Sequence, residues 1–231
     1  MLKKISKSEL FNDNYGWLST YHHFSFGRYY NPKRMNFGAL RVINNDYIVP
    51  HTGFDTHPHK NMEIITYVVK GKLTHRDSLM NTGEITRGEI QYMSAGKGIE
   101  HSEYNLHDEI LHLYQIWILP EKKELEPNYG EKHFNWDERI DKLFHMVSSV
   151  EGTAPIKIHQ DVNIYSTYTD KEFLFEVRNG RQAYIILIEG EARIGNKELW
   201  EGDSIESIEE SIIIKPKEKS HLLLFEMKKG D

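Results

Sequence analysis

Two short runs in this chain bring together side chains that can bind a metal ion. The first is Gly53-Phe54-Asp55-Thr56-His57-Pro58-His59, followed by Glu63. The second, about 40 residues on, is Gly96-Lys97-Gly98-Ile99-Glu100-His101-Ser102-Glu103. On an extended strand, side chains alternate between faces with period two. His57 and His59 therefore share a face, and Glu63 joins them if the segment stays extended throughout. His101 and Glu103 share a face in the same way. Pro58 points away from the histidines and marks a strand start or a sheet edge. If the two runs lie on neighbouring strands, three imidazoles and one carboxylate converge on one divalent ion. His57, His59, His101 and Glu103 are the expected ligands, and parity alone leaves Glu63 as an alternative to Glu103. Such a set suits Fe(II), Mn(II), Ni(II), Cu(II), Co(II) or Zn(II) and leaves positions for water, substrate or dioxygen. A lone His-x-His is commonly structural. The linked pattern, Gly-x3-His-x-His-x3-Glu-x7-Gly and then Gly-x7-Gly-x4-His-x-Glu, is far more specific.

The elements that must position these groups read as strands. Ile64–Val69, Ile90–Met93, Leu111–Leu119, Tyr184–Ile188, Ile212–Ile214 and Leu222–Phe225 are short, apolar and rich in β-branched or aromatic residues. Gly- and Asn-containing turns separate them, among them Lys70-Gly71-Lys72, Asn81-Thr82-Gly83 and Glu189-Gly190. Regular spacing of such signals predicts an all-β barrel or sandwich. The polar stretch Pro120–Leu143 breaks the pattern and reads as a connector with one short helix near Trp136–Leu143. The halves on either side echo each other: ITYVVKGKLTHRD resembles YIILIEGEARIGN, and TRGEIQYMSAG parallels WEGDSIESIEE. Two tandem barrels, 1–135 and 136–231, are expected. In the second, Lys171–Gly180 has no His-x-His and His221 stands alone, so the metal is expected in the first.

Composition narrows the chemistry. The 231 residues contain no cysteine, which removes disulfides, thiolate metal sites and cysteine nucleophiles. Any metal must be held by imidazole and carboxylate, and there are 13 histidines to draw on. Net charge is −6, which argues against a general grip on nucleic acid. The opening residues have no apolar signal-like core and the apolar runs are too short to span a bilayer, so a cytoplasmic protein without membrane contact is expected. No P-loop, dinucleotide fingerprint or Ser-His-Asp arrangement is visible.

Other polar and aromatic residues have plainer readings. His75 and Asp77 either line the pocket or form a hydrogen-bonded strand pair, with the pair favoured. His22 and His23 read as aromatic packing with a surface histidine rather than a metal-binding tail. His112 reads as a satisfied core or pocket residue. Trp17, Phe24, Phe26, Tyr29 and Tyr30 read as core.

The segment from Gly53 to Asn105 resembles the signature region of the pirin family, within the cupin superfamily. The later EPNYGEKHF and HQDVNIYSTY also resemble pirin-type sequences. The resemblance implies two tandem cupin jelly-roll (double-stranded β-helix) barrels with one metal, most often iron, in the N-terminal barrel. Its ligands fall on His57, His59, His101 and Glu103, with Glu63 near the site and bonded to a ligand imidazole. It also implies quercetin 2,3-dioxygenase activity: a flavonol binds the metal, Glu103 or Glu63 takes the hydroxyl proton, and dioxygen opens the ring. The alternative it implies is a non-enzymatic, metal-dependent redox sensor or transcriptional co-regulator with a regulatory protein partner. Another cupin chemistry is a third class, without specific support.

Overall fold

Alternating and β-branched runs form strands along nearly the whole chain. The computed structural model describes residues 2–230. In chain order the strands are β1 (Leu2–Ile5), β2 (Phe11–Asn14), β3 (Leu18–His22), β4 (Leu40–Ile48), β5 (Thr52–His59), β6 (Glu63–Lys70), β7 (Lys72–Asp77), β8 (Thr82–Thr86), β9 (Ile90–Ser94), β10 (Ile99–Asn105), β11 (Leu111–Ile118) and β12 (Asn128–Lys132). They continue as β13 (Phe144–Ser149), β14 (Ile156–Ile158), β15 (Val162–Thr169), β16 (Phe173–Phe175), β17 (Arg181–Glu189), β18 (Glu191–Ile194), β19 (Lys197–Trp200), β20 (Ser204–Ile208), β21 (Ile212–Pro216) and β22 (Ser220–Lys228). Two short 3-10 helices, Lys7–Glu9 and Trp136–Arg139, accompany them. The expectation of an all-β protein holds.

The chain divides into two units. The first is Phe11–Phe134, and the second joins residues up to Leu10 with those from Asn135 onward. In the first, a seven-stranded sheet of order β12-β9-β6-β11-β4-β3-β2 accompanies a four-stranded sheet, β5-β10-β7-β8. In the second, the orders are β1-β20-β17-β22-β15-β13-β14 and β16-β21-β18-β19. The echo between the halves has a structural basis. Gly71 links β6 to β7 and Gly190 links β17 to β18, at φ of 81° and 95°, a region that glycine enters without a Cβ clash. Leu18, Ile48, Val68, Leu73, Leu111 and Leu113 form one core cluster of the first unit. Ile185, Leu187, Ile194, Ile205, Leu222 and Leu224 belong to the core of the second.

Two sequence expectations need correction. The first ten residues do not group with the first barrel. Strand β1 pairs with β20, from Leu2↔Ser207 to Ile5↔Ser204, and covers a sheet edge that would otherwise stand unpaired. Lys4 Nζ lies 2.6 Å from Asp203 Oδ2, and the Lys7 backbone N–H donates to Asp203 Oδ1 at 2.8 Å. The polar run LKKI carries no sign of this long-range partner. Nor is Pro120–Leu143 a plain connector: Asn128–Lys132 is the edge strand β12, paired with β9. An edge strand tolerates charge and a preceding proline, which hid it. The expected short helix is the 3-10 turn Trp136–Arg139, capped by the Asn135 side chain accepting from the Asp137 N–H.

Candidate metal centre

Strand β5 is an edge strand, where the missing N–H of Pro58 is tolerated. It pairs with β10 in a register that places His57 opposite His101 and His59 opposite Ile99. The three imidazoles converge. Ring centroids are 4.7 Å apart for His57–His59, 4.5 Å for His57–His101 and 4.8 Å for His59–His101. One nitrogen from each lies within 4.8 Å of the others. His57 Nδ1 donates to the Asp55 carbonyl at 2.7 Å, because a carbonyl can only accept, and this leaves Nε2 with its lone pair. Burial, reinforced by its histidine neighbours, holds His101 down to about 2; burial and His57 hold His59 down to about 4. Neutral imidazole is the form that ligates a metal. Both ring nitrogens of His101 are buried without a hydrogen-bond partner. Such orphaned polar atoms are uncommon in a folded protein, and this donor set is one that a divalent transition metal would satisfy.

Glu103 follows His101 across a register shift: His101 faces His57, whereas Glu103 faces Phe54. On the other side of β10, Glu103 faces His75 on β7. Its carboxylate groups with His101 and His75 within 4.8 Å, so His101 is common to both clusters. Glu103 is buried and held by two hydrogen bonds: Thr66 Oγ1 donates to Oε1 at 3.0 Å and Gln115 Nε2 donates to Oε2 at 2.7 Å. Burial pushes its carboxyl up to about 7, against the Thr66 hydrogen bond.

Glu63 has a different place. The chain turns at Asn61 (φ 52°), so the parity shared with His57 and His59 does not carry across Lys60–Met62. Glu63 begins β6, in the other sheet of the unit, and belongs to neither cluster. It accepts from Tyr92 Oη at 2.9 Å and from Ser94 Oγ at 2.8 Å.

His75 lines the site beside His101, 5.3 Å between centroids, with its ring stacked on Tyr129 at 4.5 Å and 9°. Its Nε2 stands 3.5 Å from Asp77 Oδ2, so pocket lining and strand pairing both describe it. His22 and His23 are buried rather than at the surface, and His22 Nδ1 pairs with Asn44 Oδ1 at 2.7 Å. His112 pairs with Asn45 and stacks on Tyr47. Phe24 is core and Tyr30 is exposed. Trp17 packs against the core cluster of the first unit from a partly buried position, and Trp17 and Phe26 also line a cavity of about 250 Å³ together with Phe54, Thr20, Asn44 and Asp46.

In the second unit, Ser166 Oγ lies 3.3 Å from His221 Nε2 and His221 Nδ1 lies 3.4 Å from Glu189 Oε2. This Ser-His-Glu contact chain was not legible beforehand, because its members are far apart along the chain. Ser166 and His221 are fully buried, which withholds them from substrate and leaves an internal network.

Two jelly-roll-like units and a three-histidine centre define a cupin-type protein, and comparison with known proteins narrows the class. The Pirin family matches residues 4–118, and the family described as a quercetinase C-terminal cupin domain matches 145–227. A relative from Zymomonas mobilis is 40% identical over 228 residues, 97% of each chain. The quercetin 2,3-dioxygenase of Escherichia coli K12 is 39% identical over 218 residues, 93% of each. The crystal structure of the Escherichia coli pirin YhhW in complex with nickel(II) superposes with a TM-score of 0.92 at 38% identity, covering 100% of both chains. The chain belongs to the pirin family. Among the described residues no helix is long and apolar enough to cross a membrane.

Proposed function

We propose that this protein is a metal-dependent dioxygenase of the pirin type, cytoplasmic, which opens flavonols such as quercetin with dioxygen. One observation carries the reading: three imidazoles meet on one point, and His101 has both nitrogens buried and unpartnered. The name of the Escherichia coli relative supports the reaction, and the nickel complex of YhhW supports a metal in a chain of this kind.

In this reading His57, His59, His101 and Glu103 hold one divalent ion, Fe(II) by preference and Ni, Mn, Cu, Zn or Co by availability, in the first unit. When bound, the ion supplies Lewis acidity and a template for substrate and dioxygen. The protein does the rest. The Asp55 carbonyl fixes the His57 tautomer. Thr66 and Gln115 fix the plane of the Glu103 carboxylate, one on each oxygen. Glu103 also receives the proton of the substrate hydroxyl on a carboxylate oxygen. Glu63, already engaged by Tyr92 and Ser94, stays out of the reaction.

The test is to load the purified protein with Fe(II) or Ni(II) and follow quercetin absorbance together with oxygen uptake. Metal-dependent loss of both, abolished in His101→Ala, is expected. No metal-dependent quercetin loss would overturn the reading, and an unchanged rate in His101→Ala would place the reaction elsewhere.

A further inference from the structure

The aromatic cavity of the first unit is lined by a buried carboxyl that the protein does not fully satisfy. Asp46 is 2% exposed and lines the cavity, and its Oδ1 is buried with no hydrogen-bond partner. Thr20, its register partner on β3, also lines the cavity, and its buried hydroxyl faces the Asp46 carboxyl and offsets part of the effect of burial there. Directly opposed residues on antiparallel strands hold their side chains side by side. The walls are aromatic: Trp17 meets Phe54 edge-on at 5.0 Å, and Phe26 also lines the cavity. A buried carboxyl with one open oxygen, set among aromatic walls, suits a flat ligand that carries hydroxyl groups. Water alone would satisfy the polar end but would waste the aromatic walls.

One wall of the cavity adjoins the metal centre. The Phe54 ring is 6.2 Å from that of His57. Phe26 meets Trp117 at 5.2 Å, and Trp117 meets His59 at 4.8 Å. At about 250 Å³ the space is smaller than the ~300–1,000 Å³ of pockets that enclose a whole ligand. It suits one ring of a larger molecule whose remainder reaches the histidines.

We propose that Asp46 and Thr20 are specificity-determining residues that hydrogen-bond the hydroxyls of a polyhydroxylated aromatic ring, held between Trp17, Phe26 and Phe54. The assignment rests on the flavonol reading in naming the substrate class. Its test uses equilibrium binding, so the two can fail separately.

The experiment is anaerobic calorimetry on the full-length, metal-loaded protein with two flavonols that share the metal-chelating 3-hydroxy-4-oxo group. Quercetin carries two hydroxyls on its pendant ring; galangin carries none there. Wild type is expected to bind quercetin roughly tenfold or more tighter, the worth of two hydrogen bonds at a buried site. Asp46→Leu and the near-isosteric Thr20→Val are expected to narrow that preference while retaining full metal content. Equal affinity of wild type for both compounds would overturn the assignment, as would an undiminished preference in Thr20→Val. Turnover of quercetin without any such preference would remove this inference and leave the proposed reaction standing. A preference without turnover would do the reverse.

Discussion

His57 and His101 are register partners across β5 and β10, with ring centroids 4.5 Å apart. The relationship ties the metal centre to a single strand pairing. Anything that shifts β5 on β10 separates two of the three imidazoles, even where no ligand is replaced.

Gly53 offers a direct check. A Cβ there would run into the Glu103 carbonyl oxygen and the Tyr104 Cα. These are backbone atoms, which cannot rotate away. Gly53→Ala is expected to push the two strands apart, at a cost of about 1–3 kcal/mol in stability from overpacking, and to lower metal occupancy. Thermal melting with metal analysis by mass spectrometry reads both effects. Wild-type occupancy in Gly53→Ala would count against the coupling of strand pairing to metal binding.

The two carboxylates are expected to behave differently. Glu103→Gln should retain markedly less metal than wild type after anaerobic purification, whereas Glu63→Gln should retain its full complement. Metal analysis of the two variants side by side decides it. Reversed occupancies would make Glu63 the ligand.

Gln115 touches Glu103 through its Nε2, and its Oε1 can accept from the same Thr66 hydroxyl that reaches Glu103. Gln115→Leu removes the 2.7 Å donor to Oε2. The expected result is a metal affinity lower by roughly 10–100-fold, the usual scale for groups that orient a ligand. Competition with a chelator of known affinity measures it, and Gln115→Glu, which can no longer donate from that position when ionised, should be no better than leucine.

Acid should destabilise the first unit above the range where carboxylates titrate. Burial, Arg34 and His22 hold His23 down to about 3 from an ordinary 6.5. Between those values the unfolded chain takes up a proton that the folded chain refuses, so stability is complete above 6.5 and falls as pH drops toward 3. The loss grows by at most about 1.4 kcal/mol per pH unit from this residue. His23→Phe should therefore show a smaller fall in melting temperature between about pH 7.5 and about pH 5 than wild type. Equal falls would show that His23 is not the titrating group.

The sequence made the histidines legible because a strand's period is blind to its neighbours. His57-Pro58-His59 and His101-Ser102-Glu103 each declare a face, and both declarations fit the structure. Parity failed where the chain turned: three residues, Lys60–Met62, separate the end of β5 from Glu63, which sits in a different sheet. The Thr66–Glu103–Gln115 bonds were invisible because they join three strands that only the fold brings together. That Trp17 and Phe26 also bound a cavity was not legible, because composition cannot separate an aromatic that fills space from one that bounds it. Strand β1 was missed for a related reason: its partner β20 lies at the far end of the chain.

That last pairing sets an order on biosynthesis. Leu2 must find Ser207, and Ile5 must find Ser204. At roughly 5–20 residues per second, a ribosome needs about 10–40 s to travel between them. Throughout that interval the segment Leu2–Ile5 has been translated without its partner, while Phe11–Phe134 can already close. The segment Leu2–Ile5 is thus made well before the strand it docks on, and a nascent chain stalled anywhere before β20 would leave it dangling.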